Sequence, residues 1–485
     1  MSDAFNTKNF KEICETCDRV LSKSIEIKEV VAIPYLHVLR EHPFWVENYY
    51  PIFNYKNIKH PIKNRRNTIL KKIFLFAKEI FTDSNFSLDD LKEDIDFVTL
   101  SHLTNIKQLT DENDEYFGAL NLFLNDTRNM KTLTVLINHT DYSSREIKDK
   151  ISKKFLTIVL PKSLGLLNEC KLIFKQIFIT QVHKRRIKPE SFIEERIIDH
   201  SLSIRNALGA LSALRIGKLM KLIIGKSRAK YFFTTFEGHS RERIVFLSAR
   251  EANSNIKCFA YQHSIISQYQ HAIKRSIGKF YDPDKIYTCG NSTFEMLKNK
   301  SINNNSTIDV LGSPKHLSLD KKVKSDIEFT FLFLPEGIYS EYKLFYKFFT
   351  ECSNKYKKYK FIWRSHPLLN IQDMEFFADS DFEYENTHIS NDKIKNDIIN
   401  SDFAFYRAST AIIPASAAGV APIYIKTDNQ LDIDILFPVK HLSIHNPLDL
   451  ESVLDSYKHS NNSKDTMKFC QKYFTPIDFS RLSIS

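Results

Sequence analysis

The sequence Lys360–Pro367, KFIWRSHP, joins a short apolar run to a cation, a hydroxyl group and an imidazole. The apolar run predicts a buried strand. The polar residues after it predict a ligand-binding edge, because open α/β sheets bind ligands at the carboxyl ends of their strands. Pro367 restricts His366 to an extended backbone, so the imidazole is held in one direction. The stretch therefore predicts a parallel α/β sheet with Arg364, His366 and Pro367 at its edge.

On both sides of this stretch, short apolar strands alternate with helical segments. The alternation spans Tyr231–Leu311, stops at the charged, turn-rich segment Lys315–Glu328, and then spans Phe329–Lys426. Such alternation is typical of parallel sheets with crossover helices. We predict an α/β protein with two Rossmann-like domains, residues 1–320 and 321–485, in which the first carries a helical N-terminal extension and the second ends in closing helices.

Composition and charge restrict the class of protein. The chain has 485 residues, 42% of them hydrophobic, with 38 Phe and 21 Tyr, which is enough for two packed cores. Its 69 Lys and Arg against 58 Asp and Glu give a formal charge of +11, which favours an anionic partner. The first residues are polar, and no apolar run reaches about 18 residues, so we predict neither a signal peptide nor a membrane-spanning helix.

The seven cysteines are scattered, which is typical of reduced thiols in a cytoplasmic protein. Cys14 and Cys17 form a CxxC pair without a second pair, so zinc or redox chemistry is disfavoured. Two stretches, Lys56–Lys72 and Lys171–Lys188, are strongly basic. The second also has apolar residues at helical spacing. We favour a solvated helix face for it, with contact to a membrane surface as the alternative.

Further polar clusters follow two predicted strands of the first domain. Glu237 ends the first of these strands and is followed by Gly238, so tight backbone geometry can hold the carboxylate in a cleft. The alternative is an ordinary acid at a helix N-terminus, with Ser240 as the cap. Gln262 and His263 end the next strand, where a plain turn is the alternative.

Two clusters belong to the second domain. Arg407 precedes Ser409 and Thr410, which open an apolar helix, and hydroxyl groups, free N–H groups and the helix dipole together can bind an anion. Alternatively Ser409 is only the N-cap, although a phosphate could replace it in that position. Glu336 and Gly337 follow the first strand of this domain and supply a second candidate acid.

In order and spacing these motifs resemble the bacterial sialyltransferases and polysialyltransferases, and related GT-B transferases that use CMP-activated sugars. The resemblance covers about Tyr231–Tyr424. The chain departs from the family in two places. The family has two acids before glycine where this chain has Phe236-Glu237, and it has two serines where this chain has Ser409-Thr410. The absence of a GxGxxG fingerprint agrees with a glycosyltransferase rather than a dinucleotide dehydrogenase.

The resemblance implies inverting transfer between an acceptor-side first domain and a nucleotide-sugar-binding second domain. Glu237 would be the general base for an acceptor hydroxyl, and His366 would protonate or hydrogen-bond the departing CMP phosphate. Ser409 and Thr410 would bind that phosphate. The other candidate substrate-binding residues are Arg364, Pro367, Arg407, Glu336, Gly337, Gln262 and His263.

The implied donor is a CMP-activated sialic, legionaminic, pseudaminic or Kdo-type sugar, and the acceptor is a glycan or lipid-linked glycan of capsule or lipopolysaccharide. No metal or other cofactor is expected, and no nucleic-acid partner. We expect a cytoplasmic protein. Peripheral contact with the inner face of the cytoplasmic membrane is a further option. The alternatives are a GT-B transferase that uses a UDP- or GDP-sugar, and a non-catalytic basic protein that binds membranes or nucleic acid.

Overall fold

The computed structural model describes residues 7–38, 49, 52, 91, 94–111, 113–143, 146–147, 150–152, 155–298, 306–316, 329–367, 369, 371, 374–378, 385–427, 431–458 and 462–484. The basic stretch Lys56–Lys72 and most of the predicted boundary segment Lys315–Glu328 lie outside these residues.

The first sheet contains seven parallel strands in the order β3-β2-β1-β4-β5-β6-β7. Its strands are β1 (Phe97–Leu103), β2 (Thr132–Asn138), β3 (Leu156–Leu160), β4 (Tyr231–Thr235), β5 (Lys257–Gln262), β6 (Lys285–Thr288) and β7 (Thr307–Val310). β2 and β4 are buried along their whole length, as expected for apolar strands of a sheet covered on both faces. Because the strands are parallel, their carboxyl ends lie at one edge.

The second sheet contains six parallel strands in the order β10-β9-β8-β11-β12-β13. Its strands are β8 (Thr330–Phe333), β9 (Lys360–Arg364), β10 (Thr387–Ser390), β11 (Phe403–Tyr406), β12 (Ala421–Ile425) and β13 (Leu442–Ile444). β9 is the strand predicted from KFIWRSHP, and Phe361 and Trp363 on it are buried, as expected for its aromatic residues. The strand delivers Arg364 to the carboxyl edge of this sheet.

Helices cover both sheets. The α-helices of the described residues are α1 (Thr7–Ser22), α2 (Lys28–Val31), α3 (Leu120–Arg128), α4 (Leu166–Arg186), α5 (Phe192–Ser201), α6 (Ile204–Gly209), α7 (Leu211–Ser227), α8 (Ser240–Ala252), α9 (Asn291–Lys298), α10 (Tyr339–Lys355), α11 (Glu375–Ala378), α12 (Ile394–Ile399), α13 (Ile412–Ala417), α14 (Leu450–Lys458) and α15 (Asn462–Gln471). The predicted α/β class, with two Rossmann-like sheets and a helical N-terminal segment, is confirmed.

The N-terminal helix α1 packs on the first sheet's helical layer and is tied to it by charge. Cys14 and Cys17 face that core as buried free thiols, and burial raises the pKa of Cys17 so that it stays protonated. Asp18 accepts hydrogen bonds from His271, at 2.7 Å, and from Arg275. The cysteine pair is therefore part of the packing.

The C-terminal segment returns from the second sheet to the first. The hydroxyl of Tyr473, just after α15, accepts the N–H of Ile266 at 2.8 Å. Asp478 then donates its N–H to the carbonyl of Leu311 at 2.7 Å. The last described residues thus pack on the sheet that the chain left at β7.

Candidate functional site

A cleft of about 480 Å³ lies between the carboxyl edges of the two sheets. On the first sheet, Glu237 follows β4 and His263 follows β5. On the second, Glu336 follows β8 and Thr410 follows β11. Parallel strands end at a common edge, and two such edges face each other here. The structure thus brings together four candidates that are up to 173 positions apart in the numbering, from 237 to 410.

Glu237 is held by the turn that follows β4. Gly238 has φ +81°, and a Cβ atom there would overlap the backbone of Ala272, so only glycine fits. The Glu237 side chain is 12% exposed, and its Oε2 lies 2.7 Å from His239 Nε2. The Glu-Gly-His sequence therefore builds a mostly buried carboxylate with an imidazole partner.

A buried acid fixes this turn from the helix side. Glu242 accepts the N–H of Glu237 at 2.9 Å and that of His239 at 2.8 Å. Helix α8 consequently begins at Ser240 with His239 as its N-cap, and the expectation that Ser240 is the cap is wrong. Burial alone would lower the pKa of His239, but the Glu242 and Glu237 carboxylates outweigh it and raise that pKa above its usual value. The imidazolium form of His239 is thereby favoured beside Glu237.

A histidine cluster lies beside Glu237 on the neighbouring strands. His102 at the end of β1 places Nδ1 2.9 Å from His139 Nε2 and Nε2 3.1 Å from Thr235 Oγ1. Arg241 Nη2 lies 3.4 Å from the same His102 Nε2. Burial, together with Arg241, lowers the pKa of His102 to about 2. His102 is therefore a neutral hydrogen-bonding group.

Tyr116 connects this cluster to the cleft. Its ring lies 5.4 Å from that of His102 and 5.0 Å from that of His263, measured between centroids. Tyr116 and His263 both line the cleft with Glu237. His102, His139 and Tyr116 are not among the candidates expected from the sequence. The available signal was His102, which follows the apolar start of β1 near the carboxyl end of that strand, much as His366 follows β9.

On the second sheet, His366 packs against Gly337. A Cβ atom at Gly337 would lie 2.5 Å from His366 Nδ1, so the close approach of the ring requires glycine. The N–H of His366 is donated to the hydroxyl of Tyr342. Burial lowers the pKa of His366, and the nearby Glu336 carboxylate only partly opposes this. Glu336 lines the cleft. His366 is not among the described residues that line it, and packs against the adjoining Gly337.

Ser409 and Thr410 differ in their exposure to the cleft. Thr410 lines the cleft, and Ser409 is buried. Helix α13 begins at Ile412, and its N-cap, Ala411, has no side-chain hydrogen bond, so the alternative of Ser409 as N-cap is wrong. The carbonyl groups of Ser409 and Thr410 instead accept the N–H groups of the residues three positions later, which makes a tight turn before the helix.

Both candidate arginines are engaged with acids. Arg364 Nη1 lies 2.6 Å from Asp397 Oδ2, and Arg407 Nη1 lies 2.9 Å from Glu341 Oε1. Arg407 is only 2% exposed. Within the described part of the chain, neither arginine lines the cleft, and its basic side chain is Lys315. The structure therefore does not bring Arg364 or Arg407 to Thr410.

Gln262 and Pro367 also lie away from the cleft's described lining. Gln262 is fully buried. Its side-chain NH₂ group donates to the carbonyl of Ser264, and its side-chain oxygen accepts the N–H of Cys289 at 3.4 Å. Pro367 is exposed at the turn after β9. Gln262 thus shapes the loop that carries His263.

Asp-x-Asp sequences, a pattern that holds a metal ion in another class of glycosyltransferase, occur at 94–96, 282–284 and 432–434, and an acid of each of these forms an ion pair within the protein. Asp282 pairs with the buried Arg243, and Asp434 lies 3.0 Å from His441 Nε2. In the residues that the structure describes, no three His, Cys, Asp or Glu side chains are grouped to hold a metal ion. Over the same residues, every helix is too short or too polar to cross a membrane.

No protein-family model matches this chain, and no curated protein matches it. Solved structures similar to it include a glycotransferase of kitacinnamycin (TM-score 0.43, 8% identity, covering 79% of this chain and 95% of that one). Others are the glycosyltransferase SnogD from Streptomyces nogalater (TM-score 0.42, 10% identity, covering 79% of this chain and 96% of that one) and UDP-GlcNAc 2-epimerase from Neisseria meningitidis bound to UDP-GlcNAc (TM-score 0.41, 11% identity, covering 78% and 94%). The roles of residues in the cleft rest on its geometry.

Proposed function

We propose that this protein is an inverting glycosyltransferase that moves an acidic eight- or nine-carbon sugar from its CMP donor to a glycan acceptor. The observation that carries the proposal is one cleft in which Glu237 of the first sheet stands opposite Glu336 and Thr410 of the second. Displacement at an anomeric carbon needs a carboxylate on the attacking side and anion-binding groups on the leaving side.

On the acceptor side, Glu237 takes the proton of the attacking hydroxyl. The acceptor oxygen forms its bond to the anomeric carbon as the bond from that carbon to the CMP phosphate breaks, which inverts the configuration. His239 Nε2, 2.7 Å from Glu237 Oε2, is the hydrogen-bonding partner that holds this carboxylate in place. Tyr116 and His263, which line the same part of the cleft, offer aromatic faces to an acceptor sugar.

On the donor side, Thr410 and Lys315 receive the phosphate. A CMP leaving group carries one phosphate, whereas UDP or GDP carries two. The single basic side chain in the described lining supports the monophosphate. The lowered pKa of His366 favours a neutral ring, so we do not assign it the delivery of a proton. We assign it a hydrogen-bonding role on the phosphate side of the cleft, where it packs against the Glu336–Gly337 segment.

The proposal also covers the acceptor and the cellular location of the protein. The resemblance described above supports a glycan or lipid-linked glycan acceptor in capsule or lipopolysaccharide synthesis. The scattered free thiols support a cytoplasmic location, with peripheral contact at the inner face of the membrane. We further propose that the reaction proceeds without a metal ion, because hydroxyl groups and Lys315 can receive a single phosphate.

The test is a mass-spectrometric transfer assay with CMP-Neu5Ac, CMP-Kdo and CMP-pseudaminate, run beside Glu237→Gln as the inactive control. Thermal shift with CMP, UDP, GDP and an oligonucleotide accompanies it. We expect stabilisation by CMP and transfer from at least one CMP-sugar. Stabilisation by UDP or GDP alone would assign a different donor class, and stabilisation by the oligonucleotide alone would refute a glycosyltransferase.

A further inference from the structure

Helix α4, which follows β3 at one edge of the first sheet, has polar residues inside and apolar residues outside. The side chains that it buries are Glu169, Gln176, Thr180 and His183. The side chains that it exposes include Leu167, Phe174 and Phe178, at 75%, 74% and 69%. A helix on a globular core normally shows the opposite arrangement.

Specific partners hold the buried polar face in place. Glu169 forms a bidentate ion pair with Arg215, at 2.6 and 2.9 Å. His183 Nε2 lies 2.7 Å from Ser24 Oγ, and Gln176 donates to a backbone carbonyl at 2.8 Å. Rotating the helix to bury its aromatic residues would break these buried contacts, which is costly. The outward direction of the aromatic residues is therefore a property of the fold.

The exposed residues form one continuous stripe. Leu167, Phe174 and Phe178 are spaced by seven and four positions, which places them on one side of the helix. The adjacent helix α6 contacts α4 and exposes Ile204 and Leu208, at 53% and 38%. An exposed patch of several large apolar side chains on neighbouring helices marks an interaction surface.

Basic residues accompany the stripe. Lys171 lies between Leu167 and Phe174 in sequence and is exposed, as are Arg185 at the end of α4 and Arg205 on α6. Glu169, the one acidic residue in the sequence of α4, is buried. An apolar stripe bordered by cations matches an anionic bilayer surface, where aromatic side chains enter the headgroup region and cations meet phosphates.

We propose that the face of α4 and α6 docks on the surface of an anionic phospholipid bilayer. The charge argues against a second copy of this chain as occupant, because the same cations would face each other across a twofold interface. Helix α4 begins just after the carboxyl end of β3, the sheet edge that also carries Glu237. Docking through α4 would therefore bring the acceptor side of the cleft toward the bilayer.

The experiment measures flotation of the full chain with two kinds of vesicle. One kind contains phosphatidylcholine alone, and the other contains phosphatidylcholine with one third phosphatidylglycerol. The docking surface deepens the peripheral membrane contact of the proposed function, and because no sugar donor is needed, its failure would leave the proposed glycosyl transfer untouched. We expect flotation with anionic vesicles that declines with added salt. Phe174→Ser/Phe178→Ser should lower the bound fraction about 10-fold or more. Leu167→Ser should also lower it, whereas Leu448→Ser, at an exposed leucine of the second domain, should not.

Several results would overturn the docking surface. One is the absence of flotation with either vesicle, and another is equal flotation with neutral and anionic vesicles. Unchanged flotation of the double phenylalanine variant would count equally against it. Light scattering that shows an oligomer dissolved by the double variant would assign the surface to another copy of the chain. A lower melting temperature of that variant would show that the stripe is covered within the protein.

Discussion

His239 Nε2 lies 2.7 Å from Glu237 Oε2, and the two residues are joined by a glycine that no other residue can replace without backbone overlap. The pKa of His239 is raised, because the Glu242 and Glu237 carboxylates outweigh the effect of burial. The pair therefore places a histidine that favours its imidazolium form beside a carboxylate, and an adjacent cation favours the charged form of a carboxylate.

Replacing His239 should move the acid limb of the pH–rate profile. His239→Asn retains a residue suited to the N-cap but removes the cation beside Glu237. The acid limb of kcat/KM should then move to higher pH by about one unit, because a carboxylate without a neighbouring cation takes up a proton more readily. The matched control is His388→Asn at an exposed histidine of β10. A profile of unchanged shape with only a lower plateau would contradict the role.

The same pair predicts how stability changes with pH. A histidine with a raised pKa in the folded state adds stability that is fully present below about pH 6.5. That contribution is lost as the pH rises through the folded pKa of His239. The difference in melting temperature between the parent protein and His239→Asn should therefore be larger at pH 6 than at pH 9. A difference that grows with pH would contradict this sign.

Glu237 and Glu336, two of the acids that line the cleft, should differ in role. Glu237→Gln removes the proton acceptor but keeps shape, so turnover should fall by about 10²- to 10⁴-fold while CMP binding persists. Glu336→Gln, on the donor wall, should alter donor affinity more than turnover. Single-turnover kinetics and CMP calorimetry measure both. The assignment is wrong if the Glu336 variant is inactive with normal CMP binding and the Glu237 variant transfers normally.

Thr410 and Ser409 should contribute unequally to CMP binding. Thr410 lines the cleft and Ser409 is buried, so Thr410→Ala should weaken CMP binding by about 1–3 kcal/mol, the range for a hydrogen bond to a charged group. Ser409→Ala serves as the matched control and should change CMP affinity less. Calorimetry that ranks the two in the opposite order would place the phosphate elsewhere.

Arg407 should act through stability. It is buried and pairs with Glu341 at 2.9 Å, so Arg407→Met leaves an uncompensated buried acid and should cost about 3–5 kcal/mol of unfolding free energy. Arg407→Met/Glu341→Met should recover much of that loss, because neither charge is then stranded. Denaturant unfolding measures both variants. A single variant that is stable but fails to bind CMP would restore Arg407 to the phosphate site.

The strands could be predicted because each is a short apolar run that is bounded by polar or turn residues. The strand predicted at the start of KFIWRSHP is β9, and the strand predicted to end near Gln262 is β5, which ends at that residue. The N-cap of α8 was expected at Ser240 and lies one residue earlier, at His239. The cap depends on Glu242, which lies inside the helix and accepts the N–H groups of Glu237 and His239. The presence of Ser240 in the sequence does not indicate these bonds.

The candidate site was only partly predictable. A strand-end residue such as Glu237 or Thr410 can be found from sequence, because the edge of a parallel sheet collects such residues. The partners of Arg364 and Arg407 come from helices α12 and α10, and nothing local in the sequence indicates which acid each arginine meets. The adjacency of β1 to β4, which brings His102 near Glu237, likewise depends on a long crossover.

The return of the C-terminal segment means that the gene cannot be divided into two halves that each encode a finished domain. A fragment that stops after β7 would leave the carbonyl of Leu311 and the N–H of Ile266 without the partners that Asp478 and Tyr473 provide. Ribosomal synthesis must therefore pass Asp478 before the domain of the first sheet can be completed. A stop codon ahead of Tyr473 would damage the half of the protein that was made first.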